Sequence, residues 1–193
     1  MEFQATITNE EIDSLPLAQH EGEIIVVDNS DHNDAVEYLK NYTIIGFDTE
    51  TRPSFKKGVT YPLSLLQLTA GDRTYLFRMD RIKLSIGIIK LLRSRNIIKV
   101  GLDIKEDLRK LRNRTPFTPA GFVDLQTLAP QYGIEEKSLK KLTAIVLGQR
   151  LSKAQRLSNW AARNLTPQQI KYAATDSLVS RDIYIALLAS GNK

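Results

Sequence analysis

The chain has 193 residues, 42% of them hydrophobic and 25% charged, a length and composition that predict one compact globular domain. It contains no cysteine and only two histidines, which excludes disulfide scaffolds, thiol nucleophiles and cysteine-based metal sites and argues against a histidine-based metal centre or catalytic triad. Its 27 Lys and Arg residues against 22 Asp and Glu give a formal charge of +5, too small on average to indicate a partner.

The amino-terminal segment carries acids and lacks the apolar run with a basic flank that marks a secretory signal. No apolar run approaches the ~20 residues of a membrane-spanning helix. We therefore expect a cytoplasmic protein without a membrane segment. Residues 1–21 look like an irregular extension without chemistry, and the folded domain is expected over residues 22–193.

The first half of the domain is predicted to contain four strands and one helix. The two strands that flank Gly71–Asp72 have the spacing of an antiparallel hairpin. Ser30 is a candidate cap for a helix that turns Ala35, Val36 and Leu39 inward. From their apolar and β-branched content, the strands are predicted at Ile24–Val27, Thr43–Glu50, Ser64–Ala70 and Arg73–Arg78. We expect this half to form a meander.

The second half alternates helical spacing with short buried strands, which indicates parallel crossovers. Gly148 ends one helix, and Thr166-Pro167-Gln168-Gln169 forms a capping box that opens a helix running to about Leu188. The other elements are predicted as helices at Ile82–Leu92, Ile104–Arg112 and Ser138–Leu147, and as strands at Ile97–Val100 and Phe122–Leu125. The predicted fold is α/β, a mixed sheet flanked by helices.

Two acids close the second predicted strand. Because side chains alternate along a strand, Asp48 and Glu50 share one face with Ile44 and Gly46. Two like charges side by side raise a pKa unless a cation lies between them, and carboxylate pairs are ligands that Mg²⁺ or Mn²⁺ prefers. The alternative is that both acids lie in a solvated loop after the strand.

The last predicted helix places an acid on an apolar stripe. Tyr172, Asp176, Val179, Ile183 and Leu187 share one helical face, so Asp176 points toward the packed side. A lone carboxylate there costs several kcal/mol unless it meets a partner or a metal. Tyr172 lies one turn earlier, with a hydroxyl able to orient a water molecule. A bond from Asp176 to a backbone amide or an arginine is the structural alternative.

The segment Asp103–Asp107 holds a third acidic cluster. Asp103 and Glu106 have the spacing of a helix cap, which gives both a structural role. Asp107 lies on the rim of the buried face and can reach a site above the strands from the first turn. Its alternative role is a favourable interaction with the helix dipole, worth about 0.3–1 kcal/mol.

No acid occurs between Lys137 and Thr175, although this stretch carries eight cations. Solvated helix faces usually mix both signs, so the bias favours a surface that binds a polyanion. The cations are Lys137, Lys140, Lys141, Arg150, Lys153, Arg156, Arg163 and Lys171.

Three segments together resemble the motifs of the DEDD superfamily of 3′–5′ exonucleases: IIGFDTE with Asp48 and Glu50, KEDLRKL with Asp107, and YAATD with Tyr172 and Asp176. Tyr172 in the third motif resembles the tyrosine subgroup of this superfamily, because the other subgroup has histidine at the corresponding position. The segment LSNWAARNLTPQQIKYAATDS is especially similar to exonuclease domains of the Werner syndrome type and, more distantly, to ribonuclease D. The resemblance covers residues 23–188 and implies a ribonuclease H-like sheet.

The resemblance also implies an activity: hydrolysis of phosphodiester bonds from a free 3′ end, releasing nucleoside 5′-monophosphates with two Mg²⁺ or Mn²⁺ ions. Asp48 would bridge both ions, and Glu50 and Asp176 would complete the first ion site. Asp107 would hold the second ion through water, and Tyr172 would position the attacking water.

Basic and aromatic residues near the motifs are candidates for substrate binding. Lys153 and Arg156 are expected to bind phosphates beside the ions, with Arg163 as a third candidate. Trp160 is either a stacking platform for a terminal base or a core anchor. Arg52 begins a segment that forms either a rim of the site or a basic loop in solvent.

The implied partner is nucleic acid, with DNA expected ahead of RNA because the Werner-type segment is the most similar. A ribonuclease D-like enzyme acting on RNA 3′ ends is the alternative activity. A non-catalytic nucleic-acid-binding module of the same fold and a generic basic adaptor are the alternatives without catalysis. Helicase functions would have to come from a separate helicase or repair partner.

Overall fold

The computed structural model describes residues 2–29 and 31–191. Its centre is a six-stranded mixed sheet in the order β1-β4-β3-β2-β5-β6, flanked by helices, which confirms the predicted α/β class. The strands are β1 (Glu23–Val27), β2 (Ile44–Thr51), β3 (Leu63–Ala70), β4 (Arg73–Arg78), β5 (Ile98–Gly101) and β6 (Phe122–Asp124). The helices are α1 (Asn9–Asp13), α2 (Asn33–Leu39), α3 (Ile86–Arg93), α4 (Ile104–Arg114), α5 (Leu125–Leu128), α6 (Leu139–Leu147) and α7 (Pro167–Ala189), with a 3-10 helix at Ala129–Tyr132.

Strand pairing follows the prediction in the centre of the sheet. β2, β3 and β4 pair antiparallel, and Gly71 turns the β3–β4 hairpin with φ +52°, a conformation that favours glycine. β5 pairs parallel to β2 and to β6, as the crossover pattern predicted. The expected meander is wrong for β1, which runs parallel to β4. The meander is therefore limited to β2–β4.

The longest helix, α7, packs across one face of the sheet. Its closest approach is at Gly46 of β2, where a Cβ would lie 1.9 Å from the carbonyl oxygen of Ser177. The absence of a side chain at Gly46 thus lets α7 pack directly on β2. The opposite face carries the larger apolar core, in which residues such as Phe47 and Phe77 pack against α2, α3 and α4.

Several predicted element ends differ from the structure. α3 begins at Ile86, because Ser85 accepts a hydrogen bond from the Ile88 amide and caps the helix there. Leu125 starts α5 and is not part of the last strand. The capping box at Thr166 and the stop at Gly148, with φ +63°, are confirmed. Ser30, the predicted cap of α2, lies outside the described residues.

The amino-terminal segment is more ordered than the irregular extension that we expected. It contains α1, whose Thr8 and Glu11 form a capping box and whose Ile12 is fully buried against Ala144 of α6. Farther along, Leu17 forms a backbone bridge with Arg150. Long-range apolar packing orders this segment. Within the described part of the chain, no helix combines the length and apolarity needed to cross a membrane.

Candidate active site

Three carboxylates from two distant parts of the chain meet above the sheet. Asp48 and Glu50 lie on the same face of β2, and Asp176 reaches them from the buried face of α7. Each offers an oxygen, and these oxygens all lie within 4.8 Å of one another. The loop alternative for Asp48 and Glu50 is wrong, because both lie within β2 and pair with β3.

Two local features bring these acids together. Gly46 admits α7 against β2, so Asp176, which precedes Ser177, lies next to the carboxyl end of the strand. The register with β3 then shifts between Glu50 and Thr51. Such an irregularity bends a strand and ends regular pairing, which opens space beside the last carboxylate.

The acids repel one another in the absence of a cation. Burial, followed by the charges of Asp176 and Asp107, raises the pKa of Asp48 well above its ordinary value. Burial, followed by the charges of Asp48, Asp176 and Asp107, raises the pKa of Glu50 to about 10. Burial raises the pKa of Asp176 to about 7, against the lowering effect of a hydrogen bond from Tyr172.

No ion pair within residues 2–29 and 31–191 includes any of these acids. An arginine partner for Asp176, the structural alternative, is thus absent from the described residues. A group of clustered, partly buried carboxylates with only oxygen ligands fits a hard divalent cation, whose charge would offset their repulsion.

Asp107 lies beside this group, on the first turn of α4. Its Oδ1 accepts a hydrogen bond of 2.5 Å from the hydroxyl of Thr49, on the opposite face of β2 from Asp48. Burial raises the pKa of Asp107, while the Thr49 bond lowers it. Because its charge also raises the pKa of Asp48 and Glu50, Asp107 belongs to the same electrostatic cluster.

The cap of α4 differs from the prediction. Asp103 has a left-handed backbone, φ +54°, and makes no side-chain cap bond, while Glu106 bonds Arg109. Instead, the carboxylate of Asp124 at the end of β6 accepts hydrogen bonds from the amides of Asp103, 3.0 Å, and Ile104, 3.1 Å. The Asp124 carboxylate therefore holds the helix start that carries Asp107. This role depends on the parallel β5–β6 pairing and has no local sequence signal.

Tyr172 lies one turn before Asp176, as the helical spacing predicted, and its hydroxyl forms a hydrogen bond with the Asp176 carboxylate. Burial, followed by the charges of Asp176 and Glu50, raises the pKa of Tyr172, so the phenol stays protonated at neutral pH. The half-buried hydroxyl is thus held at the edge of the acid group.

Trp160 is a core residue, so its assignment to substrate binding is corrected. Its side chain is fully buried with Leu65, Leu76 and Ala173, and its ring lies 6.0 Å from that of Tyr172. A fully buried indole presents no face to a base. The buried ring of Trp160 instead packs near the ring of Tyr172.

The four predicted cations do not lie together. Lys153 and Arg156 are exposed and line a groove of about 590 Å³ together with Tyr172 and Asp176. Arg163, the third candidate, is exposed but does not line that groove. Arg52 stacks on the ring of Tyr61, 4.7 Å from its centroid.

Arg52 also lines a smaller groove of about 260 Å³ with Phe55 and Leu157. Phe55 is 81% exposed and Leu157 63% exposed, so two large apolar side chains face solvent beside the site. This arrangement favours the rim over the solvent loop as the interpretation of the segment that follows Glu50.

Gln67 of β3 is a residue that the sequence analysis missed. It lies directly opposite Asp48 in the sheet register, is fully buried, and neither its amide nitrogen nor its oxygen has a hydrogen-bond partner among the described residues. The signal was available, since a glutamine interrupts an otherwise apolar strand, LSLLQL.

Comparisons with known proteins agree with this geometry. A protein-family model described as 3′–5′ exonuclease matches residues 24–191. "Exonuclease 3′-5′ domain-containing protein 2" of Drosophila melanogaster is 33% identical over 156 residues, which cover 79% of this chain and 26% of that protein. "Bifunctional 3′-5′ exonuclease/ATP-dependent helicase WRN" of Mus musculus is 32% identical over 183 residues, covering 89% of this chain and 13% of that protein.

Among solved structures, Escherichia coli RNase D superimposes with a TM-score of 0.71 at 25% identity, covering 89% of this chain and 46% of that one. The chain spans about a quarter or less of the two curated relatives described above.

Proposed function

This chain belongs to the 3′–5′ exonuclease family, and from that membership we propose that it hydrolyses phosphodiester bonds at free 3′ ends, preferring DNA. The observation that carries the proposal is the convergence of Asp48, Glu50 and Asp176 within 4.8 Å of one another. Asp107 lies beside them, and Tyr172 is bonded to Asp176. A non-catalytic module would need none of these costly, repelling acids to stay together.

In this proposal, Asp48, Glu50 and Asp176 would hold a divalent cation, Mg²⁺ or Mn²⁺, and Asp107 together with Asp48 would hold a second. When bound, such ions stabilise the charge of an in-line displacement at phosphorus. The repulsion among the acids indicates why a cation would bind, since its charge replaces the protons that their raised pKa values otherwise retain.

The remaining residues act on the water and on the substrate. The Tyr172 hydroxyl keeps its proton at neutral pH and donates it to Asp176, so its oxygen can accept a hydrogen bond from the attacking water. The water adds its oxygen to phosphorus as the bond to the 3′ oxygen of the preceding nucleotide breaks, which releases a nucleoside 5′-monophosphate. Lys153 and Arg156 neutralise phosphates at the groove beside Asp176.

The central test replaces one oxygen ligand at constant size. We expect Asp48→Asn to lower kcat on a 5′-labelled single-stranded DNA by about 10²–10³-fold in Mn²⁺, because the loss of one electrostatic contact to the transition state has this size. Asp13→Asn, an exposed acid at the end of α1, is the matched control and should retain full activity. Products are resolved by gel and the released nucleotide by chromatography. Full activity of Asp48→Asn, or wild-type digestion that survives EDTA, would contradict the proposal.

RNA is the second candidate substrate, since E. coli RNase D shares the fold at a TM-score of 0.71. Single-stranded DNA, recessed duplex DNA and RNA of one sequence should be compared at one salt concentration, because phosphate binding depends steeply on salt. A higher kcat/KM on DNA supports our preference, while a higher kcat/KM on RNA indicates a ribonuclease D-like enzyme.

A further inference from the structure

We infer that a basic groove along α4 binds the phosphates of the substrate strand several nucleotides away from its 3′ end, an inference that rests on the proposed exonuclease function. The groove lies between α4 and the segment that follows β2, with a volume of about 680 Å³. It is lined by Thr51, Arg52, Tyr61, Arg109, Lys110 and Asn113, among others.

One end of this groove lies close to the acid cluster, although none of the clustered acids lines the groove. Thr51 directly follows Glu50, and its hydroxyl accepts a long hydrogen bond of 3.4 Å from the Lys110 ammonium. Lys110 lies one helical turn, or nearly so, after Asp107, so the first cation of the groove is adjacent to the carboxylates. We therefore expect a strand whose terminal bond is held at the acids to meet Lys110 first as it enters the groove.

A second groove extends the first along the same helix. It has a volume of about 580 Å³ and is lined by Arg93, Arg109, Arg112, Asn113, Phe117 and Thr118, among others. Arg109 and Asn113 line both grooves, so the two form one continuous track.

The length of the track fits a strand of several nucleotides. At 1.5 Å per residue, the seven-residue step from Asp107 to Arg114 spans about 10 Å, or about three nucleotides at the 3.4 Å spacing of a stacked strand.

The cations of the track have too few acidic neighbours to be neutralised within the protein, so an external anion can bind them. Its only acid among the lining residues is Glu106, and Arg109 already neutralises it with hydrogen bonds of 2.5 and 2.7 Å. Arg93, Lys110 and Arg112 take part in no ion pair within the described ranges. A solvated face usually carries both signs, whereas evenly placed unpaired cations beside a phosphodiesterase site match a phosphate backbone.

The test compares a substrate long enough to reach the far groove of the track, at Arg93 and Arg112, with one that reaches only the near groove. Hydrolysis of a 5′-labelled 15-nucleotide DNA and of its 3′-terminal trinucleotide is measured in Mn²⁺ at one salt concentration, for the wild type and for the double variant Arg93→Glu/Arg112→Glu. We expect the ratio of kcat/KM for the 15-mer to that for the trinucleotide to fall at least 10-fold. The slope of log KM for the 15-mer against log salt concentration should also fall by about one to two, which corresponds to one to two lost phosphate contacts.

A matched control carries the same change in charge. Lys90→Glu/Arg95→Glu alters two exposed cations on either side of Arg93 that line neither groove, and its substrate ratio should match the wild type. The milder pair Arg93→Gln/Arg112→Gln, with melting curves for every variant, separates lost binding from lost folding.

Equal ratios in the two charge-reversed proteins, or a wild type without preference for the 15-mer, would overturn the α4 track. Either result still leaves metal-dependent hydrolysis measurable on the trinucleotide, so failure of the track is distinguishable from failure of the exonuclease proposal. Absence of digestion of both substrates by the wild type would instead contradict the proposed function.

Discussion

The two faces of the central strands differ sharply in chemistry. On one face, Phe47, Leu66, Leu68 and Phe77 are almost fully buried in a continuous apolar core. On the other face, the same strands carry Asp48, Glu50, Gln67 and Thr69, under α7. Because neighbouring residues on a strand point to opposite sides, one short strand supplies both the core and the site. The apolar face contributes stability that offsets the cost of the acids.

The polar face itself is uneven. Away from the acids, Thr69 bonds Ser177 of α7 at 2.5 Å and Thr74 at 2.6 Å, and Thr74 bonds His20 at 2.8 Å. These hydroxyls satisfy one another inside the protein. Next to Asp48, by contrast, the amide of Gln67 has no partner among the described residues. The hydroxyls far from the acids are therefore paired with one another, while the Gln67 amide beside Asp48 carries an unmet cost.

The largest expected effect on stability comes from the apolar face. Phe47→Ala should lower the free energy of unfolding by about 3–5 kcal/mol, since it removes a fully buried ring and leaves a cavity. Its neighbour on the other face, Asp48→Asn, should raise the stability of the metal-free protein, because a neutral amide avoids the cost of keeping protonated a buried carboxyl that the unfolded chain ionises. Urea denaturation measures both. Phe55→Ala, which alters an exposed ring, should stay within about 0.5 kcal/mol of the wild type. Equal losses of unfolding free energy in Phe47→Ala and Asp48→Asn would contradict the difference between the two faces.

A smaller effect is expected from pH. Because burial raises the pKa of Glu50 to about 10 and that of Asp176 to about 7, the folded protein holds protons that the unfolded chain has released. Stability of the metal-free protein therefore falls as pH rises between the ordinary and the raised values. Between about pH 6.5 and 8, Tm should fall by ~5 °C, and Mn²⁺ at the higher pH should restore it.

Two other buried groups set that pH window. Burial lowers the pKa of His20, so this group changes stability with pH only below its ordinary value of 6.5. Burial also lowers the pKa of Lys99 to about 8, so this group changes stability with pH only above about pH 8. In EDTA, the Tm of Asp176→Asn should therefore change less with pH across this window than the Tm of the wild type. A Tm that rises with pH in the wild type would contradict the raised pKa values.

The smallest effect separates the two parts of the polar face. Gln67→Leu should raise the free energy of unfolding of the metal-free protein by about 1 kcal/mol, because it removes a buried amide that has no partner among the described residues. Thr69→Val, of similar size, should lower it by about 1–2 kcal/mol, since it removes the two buried hydrogen bonds that join the Thr69 hydroxyl to Ser177 and Thr74. Chemical denaturation in EDTA compares the two. The same sign for both variants would show that the polar face is uniform.

Much of the site was predictable because its signals are local. The alternation along TIIGFDTE placed Asp48 and Glu50 on one face, and the 3.6-residue period placed Asp176 on the buried side of α7. Such patterns depend on residues within one or two turns. The capping box at Thr166 was predictable for the same reason, since its donors and acceptors lie three residues apart.

Other features depend on contacts between residues far apart in the chain. Asp124 caps α4 only because β6 lies beside β5, Trp160 is buried only because α7 covers Leu65 and Leu76, and α1 is ordered by α6. The α4 track likewise exists only because the segment after β2 lies beside α4 in the folded protein. Local periodicity carries no information on such distances.

By itself, then, the amino-acid sequence determined the class of fold, the order of the strands and of the main helices, and the acids able to bind a cation, since periodicity and side-chain chemistry are properties of neighbouring residues. The tertiary structure alone decided which acids meet, which cations line a continuous groove and which aromatic ring is buried. Those outcomes require chain segments more than 100 residues apart to pack together, as Gly46 and Ser177 do, and packing energy depends on the whole domain.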